Sequence, residues 1–211
     1  MLISAALWEA SAAGRIDVHA PQAAGQIPRG DPEGLLAGWD ANSSVTLADL
    51  DLLMLSVSDN DATNAVIDAV GMPQVNALGE RLGLSATSLQ RRMLDFDAAA
   101  AGRDNTTCGA DLARLMAALG GAGGLSAEVC EHVLAGLRRS QHRDIVPRYL
   151  WPAATWVACK QGELAHVRHD AALVDYPQGG VAVAVVSAPA AASDALARVA
   201  AQAVRAVTAA P

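Results

Sequence analysis

Lysine, aromatic residues and charge in general are scarce in this sequence. Of its 211 residues, 18% are charged and 3% are aromatic, and the formal net charge is −7 at pH 7. Lys160 is the only lysine and Phe96 the only phenylalanine. Proteins that bind nucleic acids need a basic face to neutralise phosphates, and those that bind single strands also need aromatic rings for stacking. The composition therefore argues against a nucleic-acid partner.

Long apolar runs and paired cysteines are also missing. The sequence has no run of 18 apolar residues, so we predict no membrane span. Cys108, Cys130 and Cys159 form no Cys-x-x-Cys pair, which predicts buried, reduced thiols and neither a disulfide framework nor a metal site. Free thiols favour the cytoplasm for this chain, and a secreted or periplasmic longer form stays open. Because 52% of the residues are hydrophobic, a large core is expected.

The hydrophobic pattern predicts an α+β fold in a single domain spanning residues 1–211. Up to about residue 150 the apolar residues recur with the helical period, and the first helix starts at the N-terminus without a capping residue. From about residue 151 the period changes to two, which predicts a three-stranded antiparallel meander followed by a C-terminal helix. The predicted helices span about 2–14, 47–57, 62–70, 73–82, 97–101, 109–119, 126–139 and 193–208, and the predicted strands 155–159, 168–175 and 181–187.

Two details of this prediction can be checked directly. Residues 181–187 form a continuous apolar β-type run, which predicts the central strand of the sheet. In the C-terminal helix, the apolar face is expected to comprise Leu196, Val199, Ala203, Val204 and Val207.

Two tripeptides could carry chemistry. Ser58-Asp59-Asn60 lies between two predicted helices, and Lys160-Gln161-Gly162 ends the first predicted strand about 100 residues later. Each by itself has a plain structural interpretation, as a helix cap and as a solvated charge. In this order they resemble the Ser-Asp-Asn and Lys-Thr-Gly motifs of class A β-lactamases and penicillin-binding proteins. The segments 61–64 and 103–107 and the final helix extend the resemblance over essentially the whole chain.

The resemblance implies a β-lactamase/transpeptidase-like fold and acyl transfer on amide or ester substrates of the β-lactam or D-Ala-D-Ala type, with no cofactor. Ser58 would shuttle a proton between the nucleophile, Lys160 and the leaving nitrogen. Asn60 would hold the substrate amide, and Gln161 and Gly162 would bind the substrate. The implied partner is a small-molecule or peptide-like anionic substrate, which a lone ammonium would attract.

The sequence departs from the family pattern in three places. The family nucleophile lies in a Ser-x-x-Lys motif, but the residue three before the only lysine is Val157. We therefore expect an N-terminally truncated chain, which lacks the nucleophile and the first strands and starts just after the catalytic lysine. Met93 takes the place of the Glu that orients the deacylating water, leaving Asp95 and Asp97 as possible deacylation residues. Gln161 replaces a Thr or Ser.

Two interpretations stay open at this point. One is a serine hydrolase whose nucleophile is absent from this chain, and the other is a non-catalytic pseudoenzyme or binding domain with the same fold. The absent strands would leave an unpaired sheet edge, so self-association is possible. Alternation along the strand places Arg168 and Asp170 on one face, and we expect these two side chains to pair.

Overall fold

The computed structural model describes residues 1–150 and 153–208. It confirms the α+β class, with helices throughout the first part of the chain and an antiparallel sheet followed by a helix in the last part. The chain folds into two compact units, Met1–Thr106 and Thr107–Pro211. Residues 151, 152 and 209–211, which fall within the predicted sheet and helix region, lie outside the described residues.

The first unit is helical, with a small two-stranded ribbon. Sequence signals mark two of its helix starts: Thr46 and Asp49 form a capping box at one, and Pro73 lies in the first turn of the fourth helix. The first helix has no side-chain cap at Met1, as its sequence predicts. The elements are α1 (Leu2–Ala12), β1 (Gln22–Ala23), β2 (Ser44–Val45), α2 (Leu47–Ser56), α3 (Asn60–Val70), α4 (Met72–Arg81) and α5 (Phe96–Ala100).

A buried carboxylate joins the first two helices of this unit. Asp51 on α2 is buried, and its Oδ2 accepts hydrogen bonds from Ser4 Oγ and Trp8 Nε1 of α1, each at 2.9 Å. Hydrogen bonds to a charged acceptor are stronger than neutral ones, so these two donors offset part of the desolvation of Asp51. Ser4, one of two serines on α1, is thus buried in a structural contact.

The second unit is a three-stranded sheet with helices on both faces. Its elements are α6 (Gly109–Ala117), α7 (Ala127–Leu137), α8 (Val146–Leu150), β3 (Trp156–Leu164), β4 (Val167–Tyr176), β5 (Gly179–Ser187) and α9 (Ser193–Thr208). β4 pairs with β3 and with β5, and both pairs are antiparallel. In the first pair, Lys160 lies opposite Ala171 and Gln161 lies opposite Asp170. The meander is confirmed, and α8 is an element that the sequence did not predict.

The strand order corrects the prediction for residues 181–187. The order is β3-β4-β5, so β4 is the central strand of the described sheet and β5 is an outer one. α9 packs on one face of the apolar strand β5, and α6 partly covers the other face, where Gly109 lies near Val186, which stays 44% exposed. An apolar run therefore does not require neighbours at both edges.

The C-terminal helix is confirmed, but its buried face differs from the predicted one. Leu196 and Val204 are buried as expected, whereas Val199 and Val207 are 56% and 64% exposed. The other buried positions of the helix are the alanines Ala197, Ala200 and Ala201, and Ala200 and Ala201 share a core cluster with the sheet. The sheet residues on this face belong to the same core cluster and include Val157, Cys159, Ala172, Val174, Val183 and Val185.

Two predictions from the composition are also met. All three cysteines are free thiols; Cys130 and Cys159 are buried and Cys108 is half-buried. Burial raises the pKa of the Cys159 thiol to about 11, which keeps it protonated and unreactive at neutral pH. Among the described helices, none has both the length and the apolar character needed to cross a membrane.

Candidate active site

Ser58 lies in the turn that joins α2 to α3, and its backbone is in an unusual conformation. Its φ angle is +62°, in the left-handed region that residues other than glycine rarely adopt. Such conformations persist only where the surroundings hold them, and they concentrate at functional sites. Ser58 is half-buried in this turn.

Asp59 holds this turn in place. It is buried and caps α3, because its Oδ1 accepts from Ala62 N at 2.9 Å. Its Oδ2 accepts from Leu36 N at 2.9 Å, which fastens the preceding loop to the same turn. Two backbone donors thus converge on one carboxylate, and the positions of Ser58 and Asn60 on either side of it follow from that anchoring.

The loop around residue 31 is fastened to α3 by a second buried carboxylate. Asp61 Oδ1 accepts from Gly30 N at 2.8 Å and from Asp31 N at 3.2 Å. Asp31 in turn accepts from Asn60 Nδ2 at 2.7 Å, so one amide donor of Asn60 is engaged within the protein. The anchoring by Asp59 and Asp61 was not predicted, since nothing in the sequence pairs these residues with a loop 23 to 31 positions away.

The backbone of Met93 is held by Asn64. Asn64 Oδ1 accepts from Met93 N at 2.8 Å, and its Nδ2 donates to Met93 O at 3.2 Å. This reciprocal pair ties the loop to α3 at the position where the family resemblance places a glutamate. The base of the loop is closed by the Ser88–Thr106 bridge and by the ion pair of Arg91 with Asp104 at 2.7 Å.

The two loop carboxylates considered for deacylation lie at the start of α5. Asp95 is exposed, and its Oδ1 caps α5 by accepting from Ala98 N at 3.0 Å. Asp97 is exposed in the first turn of the same helix, where its negative charge interacts favourably with the helix dipole. Leu94, just before the cap, has a φ of +65°, so this loop also carries a strained residue.

Lys160 is half-buried on β3, near the exposed end of that strand. Burial lowers the pKa of its ammonium to about 8, while the nearby carboxylate of Asp170 works in the opposite direction. Its Nζ donates to Gln161 O at 2.7 Å. A lysine with this pKa is largely protonated at neutral pH and loses its charge within a mildly alkaline range.

Asp170 on β4 is a fully buried carboxyl group that sequence reasoning did not place in the site. Burial raises its pKa to about 7; the backbone N–H of Val146 and the charge of Lys160 lower it, and Asp144 raises it. Its Oδ2 accepts from Val146 N at 2.9 Å, whereas its Oδ1 has no hydrogen-bond partner among the described residues. A strongly perturbed, buried titratable group beside a candidate catalytic lysine marks a functional region.

The expected Arg168–Asp170 pair is wrong. Arg168 donates to the carboxylate of Glu163 and, at 3.0 Å, to the carbonyl of Ala191. Asp170 points into the core and takes its hydrogen bond from the start of α8 instead. Alternation placed both side chains on one face correctly, but it could not predict that α8, an unpredicted helix, provides a backbone donor there.

Gln161 and Gly162 complete the tripeptide on β3. Gln161 is half-buried, and its Oε1 is buried without a hydrogen-bond partner among the described residues. Gly162 is exposed, and a Cβ placed on it would meet no atom of the described chain within 4 Å. The backbone at Gly162 is therefore open to a ligand, with the Lys160 charge and the Gln161 amide on the same strand.

The predicted site residues thus fall into two groups, one in each unit. Ser58 and Asn60 share one turn in the first unit, and Lys160, Gln161 and Gly162 are consecutive on β3 in the second, with Asp170 on the adjacent strand. Within the described ranges, no group of three or more His, Cys, Asp and Glu side chains could hold a metal ion. The available chemistry is that of hydroxyl, amide, ammonium and carboxyl groups.

Comparison with known proteins gives a consistent family assignment. The sequence profile described as "Beta-lactamase enzyme family" matches residues 1–209. The structure resembles that of a beta-lactamase from Sphaerobacter thermophilus, with 27% identity and a TM-score of 0.86 over 100% of this chain and 81% of that one. It also resembles PBP-A, with 28% identity and a TM-score of 0.83 over 99% and 79% of the two chains.

Two further comparisons complete these findings. A mutant of the class A beta-lactamase of the last common ancestor of Gram-negative bacteria shares the fold, with a TM-score of 0.85 at 23% identity over 98% of this chain and 81% of that chain. No curated protein matches the sequence significantly.

Proposed function

Because the chain belongs to the beta-lactamase enzyme family, we propose that it carries the binding and proton-transfer residues of a serine acyl-transfer site for β-lactam or D-Ala-D-Ala-like substrates. Ser58 relays a proton, and Lys160 provides the positive charge for an anionic substrate. Asn60, Gln161 and Gly162 bind its amide and carboxylate groups. The observation that carries the proposal is the pair of Ser58-Asp59-Asn60 and Lys160-Gln161-Gly162 in a chain with this fold.

The physical state of these residues supports the proposed roles. Ser58 is held in a left-handed conformation by the capped turn around Asp59, which suits a hydroxyl that must keep a fixed direction. Lys160 has a pKa lowered to about 8 by burial, so its proton can leave and return near neutral pH. The open backbone at Gly162 leaves room for a substrate to lie along the end of β3.

The nature of the relatives supports the substrate class. A PBP-A mutant was solved as an acyl-enzyme complex with penicillin G, and the structure of that protein matches 99% of this chain at 28% identity. Both a penicillin and a peptide ending in D-Ala-D-Ala present an amide carbonyl near a carboxylate. The ammonium of Lys160, the amides of Asn60 and Gln161 and the hydroxyl of Ser58 are chemically complementary to both.

A specific observation favours a second candidate, a non-catalytic binding domain. The sequence contains no Ser-x-x-Lys motif, and the backbone of Met93 lies where the family resemblance places a carboxylate. Under this alternative the same residues would bind the same class of ligand without forming an acyl-enzyme. Possible deacylation by Asp95 or Asp97 belongs to the first candidate alone.

With the purified chain of 211 residues we expect binding of benzylpenicillin without turnover, so that nitrocefin hydrolysis stays at the buffer rate. The two candidates are separated with the full-length gene product. Incubation of that product with a fluorescent penicillin, followed by intact-mass measurement, reports any covalent adduct, and an adduct would favour the enzyme over the binding domain.

Binding itself is tested with Lys160→Gln, compared with Arg198→Gln on the exposed surface of α9 as the matched loss of one positive charge. The proposal is supported if Lys160→Gln weakens benzylpenicillin binding and Arg198→Gln does not. Equal affinity of both variants and the unmodified chain, or no binding at all, contradicts the proposal.

A further inference from the structure

Two buried oxygen atoms, one on β3 and one on β4, have no hydrogen-bond partner among the described residues. Gln161 and Asp170 are direct partners in the strand register, so their side chains lie on the same face with their Cβ atoms about 5 Å apart. Gln161 Oε1 and Asp170 Oδ1 are both buried, and neither has a hydrogen-bond partner among the described residues. Burying two unpaired acceptors together is unfavourable unless one of them carries a hydrogen.

A proton on Asp170 would satisfy both atoms at once. A neutral carboxyl group provides one O–H donor, and the amide oxygen of Gln161 is an acceptor. We infer that Asp170 is a positioning residue for Gln161: its carboxyl group donates a hydrogen bond across the strand pair to Gln161 Oε1 and leaves the two Nε2 donors of Gln161 for the carboxylate of the ligand.

The electrostatic surroundings favour the protonated carboxyl group. Asp170 is fully buried, and burial raises its pKa to about 7. The charged and titratable groups around it are Cys159 and Lys160 on β3 and Asp144 before α8, and the backbone N–H groups of Val146 and Ala171 lower its pKa. On β5 its register partner is Val185, which does not titrate.

The surrounding contacts fix which carboxyl oxygen is available. Asp170 Oδ2 accepts from Val146 N at 2.9 Å and is held in that position by the start of α8. The remaining oxygen, Oδ1, is therefore the one left for the proton and for Gln161. A glutamine whose oxygen is held in this way has only one amide orientation, which would make it a directed donor pair at the position where the family resemblance places a hydroxyl.

The experiment observes the Gln161 amide directly and needs no activity. The side-chain NH₂ signals of Gln161 are identified in a ¹⁵N–¹H spectrum by their loss in Gln161→Met. In the unmodified protein we expect these signals, and the ¹³C signal of the Asp170 carboxyl group, to titrate together near pH 7. In Asp170→Asn, which keeps a donor for Gln161, the amide signals should stay at their low-pH positions throughout. Asp175→Asn, a matched loss of a half-buried carboxyl group on the same strand, should leave the titration intact.

Three results would overturn the inference: Gln161 signals that do not respond to pH, an Asp170 carboxyl group that is ionised well below neutral pH, or a crystal structure with a water molecule between the two oxygens. The consequence for ligand binding rests on the proposed function. At a pH below the titration, Asp170→Leu should weaken benzylpenicillin binding about tenfold, which corresponds to one lost hydrogen bond, and Asp170→Asn should not. If the NMR titration is found but no variant binds the ligand, the hydrogen bond stands and the proposed function fails.

Discussion

The buried carboxyl group of Asp170 makes a quantitative prediction for stability. In the unfolded chain this group ionises around its ordinary pKa of 3.8, whereas in the folded protein burial raises its pKa to about 7. The folded state therefore keeps a proton that the unfolded state has lost. The stabilisation from this group is fully present below pH 3.8 and is lost as the pH rises through about 7.

Asp170→Asn removes this pH dependence while keeping the size and shape of the side chain. One pKa unit corresponds to about 1.4 kcal/mol, so the full difference between the two states amounts to roughly 4 kcal/mol. A typical domain is stable by only about 5–15 kcal/mol, which makes this a measurable fraction. Relative to the unmodified protein, the free energy of unfolding of Asp170→Asn should rise by about 1.4 kcal/mol per pH unit between about pH 4.5 and about pH 7.

The measurement is urea unfolding followed by circular dichroism at constant ionic strength. The range ends at about pH 7, because Lys160, with a pKa near 8, begins to contribute above it. Asp175→Asn on the same strand serves as the control and should show a difference from the unmodified protein that does not change with pH. If the Asp170→Asn difference is equally flat, the carboxyl group is ionised in the folded protein and the reasoning about its burial is wrong.

Three further predictions concern other residues. Because the charge of Lys160 is lost as the pH rises through about 8, benzylpenicillin affinity should fall up to about tenfold per pH unit above that value. Selective ¹⁵N labelling of this single lysine gives its pKa directly. A pKa near 10.5 would contradict the prediction. Asp59→Ala should destabilise the protein by about 2–4 kcal/mol in urea unfolding, since it removes a helix cap and leaves the buried N–H of Leu36 without its acceptor; a loss under about 1 kcal/mol would show that the cap alone matters. With a thiol reagent at mildly alkaline pH, the half-buried Cys108 should react first, and the buried Cys159 should react only after the protein unfolds. A fast reaction that persists in Cys108→Ala would refute the assigned burial.

Local patterns predicted the elements of the fold well, because these depend on residues close in sequence. The helical period up to about residue 150 and the period of two along β3 and β4 depend on residues within a few positions, and they predicted the helices and the three strands. The errors concern packing between elements. Val199 was placed on the buried face of α9 because it is apolar, but it is exposed, and alanines occupy buried positions of the helix instead.

The candidate site shows the same contrast between local patterns and contacts between distant segments. Ser58, Asn60, Lys160, Gln161 and Gly162 are proposed from their order in the sequence, because a motif preserves spacing along the chain. The residues that support them were not found.

The supporting contacts join distant segments, and two buried carboxyl groups show why they escaped prediction. Asp59 takes the N–H of Leu36, and Asp170 takes the N–H of Val146. In each case the partner is a backbone donor 23 or 24 positions away, and a backbone donor carries no signature in the residue type. A buried aspartate in an apolar stretch is therefore the one sequence-level sign of such a contact, because a carboxyl group can be buried only if another segment brings it donors or if it keeps its proton. Asp59 illustrates the first solution and Asp170 combines both, and the second solution adds a pH-dependent carboxyl group to the titration of Lys160.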